Sequence, residues 1–286
     1  MNPDVQSFYH DDSGTLTYVV SDPSTSTAAI VDPVLGYSVV SGRTDPEPAE
    51  AVLRYIDEQG LTVEWILETH AHADHLSSAQ LLKSRLGGKI AIGEGIRDVQ
   101  AHFGPVFNLP APFAPDGHQF DHLFADGETF RIGELTGRVM HTPGHTSDSV
   151  TYVIGNAAFV GDTVFMTDFG TARCDFPGGD AALLYDSIQK LFALPDDTVF
   201  YLCHGYPADN RALRFDVPID EQRRDNIHVG GDVSKADFVS MREARDAGLA
   251  LPKLILPSIQ VNIRAGHLPE SEDNGVAYIR IPLDTI

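Results

Sequence analysis

The residues best placed to do chemistry lie in one short string, Thr69-His70-Ala71-His72-Ala73-Asp74-His75. Three imidazoles and a carboxylate packed this closely, among Leu, Ala and Ser, have metal-ligand spacing. Alternation along an extended loop puts His70 and His72 on similar sides. A helix opening at His75 would turn Asp74 and His75 back toward the same space. Asp74 alone also reads as a helix N-cap, but that reading does not cover the cluster. Three more polar residues share one address, just past an apolar run. His145 follows residues 136–140 and a Pro143-Gly144 turn. Asp162 follows residues 157–160 in Val-Gly-Asp-Thr, and His204 follows residues 198–202 in Leu-Cys-His-Gly. Groups at the C-terminal ends of neighbouring strands converge on one sheet edge, so all seven side chains can meet around an ion.

Other chemistries find no motif. There is no GxSxG elbow, no Walker A loop, no HExxH, no CxxC pair and no GxGxxG after a strand. Arg173 beside Cys174 would favour a thiolate, but a small packed thiol is the expected role. His10, His102, His118, His122, His228 and His267 lack a strand-end address and are expected at the surface or in loops.

The elements that must position these groups follow from periodicity and punctuation. Residues 5–9, 16–20 and 27–31 are β-branched or aromatic runs between turn signals, which predicts a meander. Residues 46–59 predict a helix capped by Asp45, with Pro46 in its first turn and Gly60 at its end. A strand over 63–68 leads into the His string, a helix is expected over 75–86, and a strand over 89–92. Residues 100–119 carry Pro105, Pro110, Pro112 and Pro115 between Phe103, Phe107 and Phe113, which predicts a long loop, either a lid or a covering flap. Strands are expected over 129–132, 136–140, 149–154, 157–160 and 198–202, and helices over 180–193 and from Ser234 to about Ala247. The rest, 252–286, reads as a Pro-punctuated tail. Two α/β halves packed sheet to sheet, with helices outside, are the economical architecture.

The chain has 286 residues, with 20 Lys and Arg against 41 Asp and Glu, a formal net charge of −21. That excludes a nucleic-acid binder, which needs a basic face for phosphates, and disfavours an anionic membrane surface. An anionic small substrate would need basic residues gathered locally. Two cysteines fit a reducing compartment. No apolar run reaches the roughly 18 residues of a membrane span, and the acidic N-terminus is not a signal peptide. The expected location is the cytoplasm.

The order THAHADH, TPGHT, VGDT, CHGY resembles the metallo-β-lactamase superfamily. The resemblance implies an αββα sandwich with its metal site at one edge of the paired sheets, here one domain over 1–286 with a C-terminal helical and irregular extension over 206–286. Two branches are similar: the glyoxalase II hydrolases of S-acylglutathione, and the persulfide dioxygenases. Three features favour the second, and the long loop over 100–119 resembles that of its bacterial branch. Ala73 stands where glyoxalase II carries a bulky aromatic. The string Gly170-Thr171-Ala172-Arg173-Cys174-Asp175-Phe176 resembles the dioxygenases' segment after GD. The chain closes on a similar Leu-Pro…Asn-x-Arg-x-Gly string, residues 251–266.

The dioxygenase resemblance implies one Fe(II) per chain, held by His70, His145 and Asp162, with dioxygen and glutathione persulfide as substrates and a homodimer allowed. His72, Asp74, His75 and His204 then support the ligands. In a dinuclear zinc hydrolase they become ligands themselves, and the ligand set alone leaves both open. Arg173, Tyr206 and Arg223 are the expected substrate contacts, Arg211, Arg214 and Arg224 lying in the same stretch as Arg223. Asn226-Ile227-His228 departs from an Asn-Pro-Arg string found in the family, which leaves room for another low-molecular-weight persulfide. A scaffold that keeps the metal without turnover is the remaining class.

Overall fold

Alternation along the strands decides the layering. On β2 (Thr15–Asp22) every residue is buried; Tyr18 and Val20 join one apolar cluster and Val19 another. On β3 (Thr27–Val31), Ala29 and Val31 face the first cluster, Ala28 and Ile30 the second. Strands buried on both faces need a layer on each side. The computed structural model describes residues 1–109, 113–206 and 212–285. Its first sheet runs β1 (Asp4–His10), β2, β3, β6 (Thr62–Leu67), β8 (Lys89–Gly93), β9 (His122–Phe124). The second runs β10 (Thr129–Ile132), β11 (Leu135–His141), β12 (Val150–Ile154), β13 (Ala157–Phe159), β14 (Val199–Tyr201), β15 (Asp216–Pro218). A small third sheet joins β4 (Val34–Ser38) to β5 (Arg43–Asp45) and β7 (Leu76–Ser77).

Three apolar clusters fill the layers. Between the sheets, Leu16, Tyr18, Val31 and Phe124 meet Val139, Tyr152, Ile154 and Phe159. Outside the first sheet, α1 (Glu47–Gln59), α2 (Ala79–Leu86), α3 (Ile96–Val106) and α7 (Ile255–Asn262) bring Val52, Ile56, Leu82, Phe103 and Ile259 onto Ile30, Ile66 and Ile90. Outside the second, α4 (Ala181–Phe192) and α6 (Lys235–Asp246) set Leu184, Ile188 and Phe238 against Ala158, Phe200 and Val217. A short α5 (Ile219–Asp225) completes the elements. This is the αββα sandwich expected.

Local signals explain most boundaries. Asp45 accepts from the Glu47 N–H at 3.0 Å and Gly60 ends α1 in the left-handed region. Asp180 and Ser234 cap α4 and α6. Three expectations need correction. Residues 96–106 are helical, because Val99, Phe103 and Phe107 fall on one buried face and Pro105 sits late enough to cost little. The reading of 100–119 as one loop therefore fails for its first part, and its Pro110 and Pro112 lie outside the described residues. The tail contains α7, whose buried side chains outweigh Pro257. The stretch after 206, expected as helical and irregular, also contributes a strand, since β15 pairs antiparallel with β14. Among the described residues no helix is long and apolar enough to cross a membrane.

Candidate metal centre and cavity

The His string folds as a loop, not as a helix start. It leaves β6, passes through β7 and reaches α2 only at Ala79, with Ser78 at the cap position rather than Asp74. The carbonyls that would open a helix are taken. The Asn262 side-chain amide donates to His72 O and His75 O, each at 2.8 Å, and its oxygen accepts from Ser77 N–H at 2.8 Å. The Ala71 N–H donates to Asp148 Oδ2 at 2.8 Å, and Ala79 N–H to Ser77 Oγ at 3.0 Å. Opposite them Asp32, at a φ of 49°, accepts from Thr69 N–H at 2.7 Å and from Thr69 Oγ1 at 2.9 Å. With its hydrogen given to Asp32, Thr69 Oγ1 accepts from His70 Nδ1 at 3.1 Å, which leaves the His70 Nε2 lone pair unprotonated.

The expected triad assembles. One donor atom from each of His70, His145 and Asp162 lies within 4.8 Å of the others. His145 Nδ1–H donates to the Arg173 carbonyl at 2.7 Å, so its Nε2 faces Asp162 Oδ2 at 3.6 Å. Gly161 lets the turn before Asp162 press on the His loop: at φ 52° it stands where a Cβ would lie 2.7 Å from Thr69 Oγ1.

The other four groups surround the triad. His204 Nε2 lies 3.2 Å from Asp162 Oδ1 and 3.6 Å from Asp74 Oδ2. His75 Nδ1 lies 3.4 Å from Asp74 Oδ1, and Thr15 Oγ1 donates to Asp74 Oδ2 at 3.1 Å. His72 Nε2 lies 2.9 Å from Asp32 Oδ1 and 3.7 Å from Glu68 Oε2, and one of its ring nitrogens also lies within 4.8 Å of donor atoms of Asp74 and His75. Burial opposes protonation of His204, but Asp162 and Asp74 outweigh it and raise the ring to about 9. The same contest resolves toward charge at Asp162, where His204, His145 and His70 overcome burial and lower the carboxyl. Burial together with neighbouring His72 pushes His70 down.

Both ring nitrogens of His72, Nε2 of His75, Nδ1 of His204 and Oδ1 of Asp162 are buried without a hydrogen bond of ordinary geometry. Such orphaned atoms are costly in a folded interior. Imidazole nitrogens and carboxylates of this density are the donor set of a divalent metal, and the site fits one.

A cavity of about 710 Å³ opens on the triad. Leu35, Tyr37, Val39, Phe165, Phe169, Phe176 and Leu254 supply its apolar wall, and Tyr206 stacks on His204 with ring centroids 4.8 Å apart. Arg173 lines it, but both guanidinium edges are committed: Nε and Nη2 donate to Asp175 at 2.6 Å and Nη1 to Ala250 O at 2.7 Å. Arg223 is not brought to the cavity. It donates to the carbonyls of Phe192 and Leu194 and pairs with Asp196 at 2.5 Å, tying α5 to the end of α4. Arg214 and Arg224 pair with Glu221 and Asp225, and Arg211 lies outside the described residues. Cys174 is a packed thiol that burial pushes up to about 12.

Sequence reasoning missed several supports. His228 is buried, not superficial; its Nδ1 accepts from Thr171 N–H at 3.0 Å, and Gly170 lies so close that a Cβ would meet the ring at 2.1 Å. His10 lines the cavity from β1. Asn262 was visible only within the closing string, without a role. Arg242, Arg245 and Lys253 also line the cavity; no motif signals them.

Comparison with known proteins agrees with this geometry. Residues 10–204 match the family described as Metallo-beta-lactamase superfamily. The chain is 49% identical to a probable metallo-hydrolase of Burkholderia pseudomallei over 99% of both chains. It is 50% identical to glyoxylase B2 of Dictyostelium discoideum over 98% of this chain and 97% of that one. A beta-lactamase hydrolase-like protein of Xylella fastidiosa is 49% identical over 99% of this chain, which spans 65% of that longer protein. Human mitochondrial persulfide dioxygenase ETHE1 is 30% identical over 89% of this chain and 85% of that one. The crystal structure of ETHE1 from Myxococcus xanthus superposes with a TM-score of 0.72 at 30% identity, over 92% of this chain and all of that one.

Proposed function

The chain belongs to the metallo-beta-lactamase superfamily, and from that premise we propose that it is an iron-dependent dioxygenase of a low-molecular-weight persulfide such as glutathione persulfide. The observation that carries this reading is the division of the His string. His70 joins His145 and Asp162, while His72 falls outside that group, its Nε2 within ion-pair distance of Asp32 and Glu68. Two imidazoles and one carboxylate leave ligand positions open for a second and third partner, as in non-haem iron oxygenases. The similarity to ETHE1 proteins supports the same reading. We take 1–286 as one domain, with 206–286 an extension woven onto it.

Iron(II) held by His70, His145 and Asp162 would supply one-electron chemistry and open positions for dioxygen and sulfur. The balance is RSSH + O2 + H2O → RSH + SO3²⁻ + 2 H⁺: the outer sulfur is oxidised, dioxygen is reduced, and water releases the thiol. The chain's own part is positioning. Thr69 and the Arg173 carbonyl fix the tautomers of His70 and His145. His204 stands between Asp162 and Asp74, its Nε2 facing both carboxylates. The apolar wall limits water around the reacting sulfur.

A second reading, hydrolysis of S-acylglutathione thioesters at a dinuclear site, is favoured by the presence of all seven ligand-type groups, including the His72, Asp74, His75 cluster. Metal content after anaerobic purification without added metal separates the two. Near one iron per chain is expected. Near two zinc ions per chain would move the assignment to the hydrolase.

A further inference from the structure

The charge balance of the cavity runs opposite to that of the chain. Asp and Glu outnumber Lys and Arg two to one overall. On the cavity wall the only carboxylates among the described residues are Asp12, Asp74 and Asp162, against the cations Arg173, Arg242, Arg245 and Lys253. Asp74 and Asp162 belong to the metal centre. Two of the cations are spent: Arg173 on Asp175, and buried Arg242 on Asp246 at 2.6 Å and on the Thr171 carbonyl. Arg245 and Lys253 are different. Both are exposed, and among the described residues neither makes an ion pair or a side-chain hydrogen bond. Along the chain they flank Leu249 and Pro252, which line the same cavity.

We propose that Arg245 and Lys253 are the specificity-determining residues of this cavity and grip the carboxylates of an organic thiol-derived substrate whose sulfur reaches the metal centre. The proposal rests on the sulfur-substrate reading above and narrows it to carboxylate-bearing molecules. An inorganic persulfide anion offers no carboxylate to either cation and would leave most of the cavity empty. A volume of about 710 Å³ falls within the roughly 300–1,000 Å³ of sites that enclose drug-sized organic ligands. Free cations facing such a space recognise carboxylates by charge-assisted hydrogen bonds, Arg245 by its planar fork and Lys253 as a point charge.

The test is a calorimetric titration of S-methylglutathione, and separately of its diethyl ester, into the protein carrying its metal. Wild type is expected to bind the diacid at least about tenfold more tightly than the ester. R245Q and K253Q should each lose most of that preference, and the double variant should bind both ligands alike, with R223Q behaving as wild type. Equal affinity of wild type for acid and ester, or a double variant that keeps the preference, overturns the proposal. Both positions are exposed, so folding is not at stake; the melting temperature checks it. Because binding needs no turnover, the two claims separate. A preserved preference without oxygen uptake sinks the dioxygenase and leaves the grip standing, and oxygen uptake without a preference does the reverse.

Discussion

The cavity lining has a metal-binding part and a cation-bearing part, and they are built on different principles. The metal-binding part is a cluster of groups whose chemistry is fixed by residue type. His70, His145, Asp162 and their neighbours are held by a web of buried hydrogen bonds from Asp32, Thr69, Arg173 and Asn262. The cation-bearing part offers arginines and a lysine whose meaning depends on what stands beside them. Arg173 beside Asp175 is a strut between 173–175 and 250, and its useful contact with the metal centre is its backbone carbonyl. Arg245, with no such neighbour, is left for a ligand. A ligand-type residue announces itself; a cation has to be read together with its counter-charge.

This contrast can be broken at several points. The largest effect is expected at the centre: Asp162→Ala removes the carboxylate that faces both His145 and His204, and it should abolish metal retention and turnover together. Full metal occupancy with a normal rate would sink the triad. Next comes Asn262→Ala, which strips three buried hydrogen bonds from the His loop. It should destabilise the fold by about 2–4 kcal/mol, since buried partners are left unsatisfied, and weaken metal binding by about 10–100-fold. Denaturation and competition with a chelator measure the two. Stability loss with unchanged metal affinity would show that the loop holds its shape without the latch. The smallest effect is expected from Arg223→Gln. Its contacts join α5 to the end of α4, so about 1–2 kcal/mol of stability should go while kcat and KM stay put. A raised KM would return Arg223 to the substrate side.

The uneven legibility of the sequence follows from the same contrast. The αββα layering was readable because strand alternation and caps such as Asp45, Asp180 and Ser234 act locally. The convergence of the ligand-type side chains was readable because strand-end addresses are a property of topology. The start of α2 was misplaced because Asn262, almost two hundred residues away, competes for the carbonyls of His72 and His75. The helix over 96–106 was hidden by Pro105, whose cost depends on position within the helix. Arg223 and Arg173 looked equivalent along the chain, and only their neighbours in space separate them from each other and from Arg245.

The most direct test of the central claim is oxygen consumption by the iron-loaded protein with glutathione persulfide, with sulfite and thiol counted in the same vessel. The account predicts one dioxygen consumed per sulfite and per thiol formed, abolished in Asp162→Ala. Iron-loaded protein that consumes no oxygen with the persulfide, yet hydrolyses S-lactoylglutathione once supplied with zinc, would contradict it.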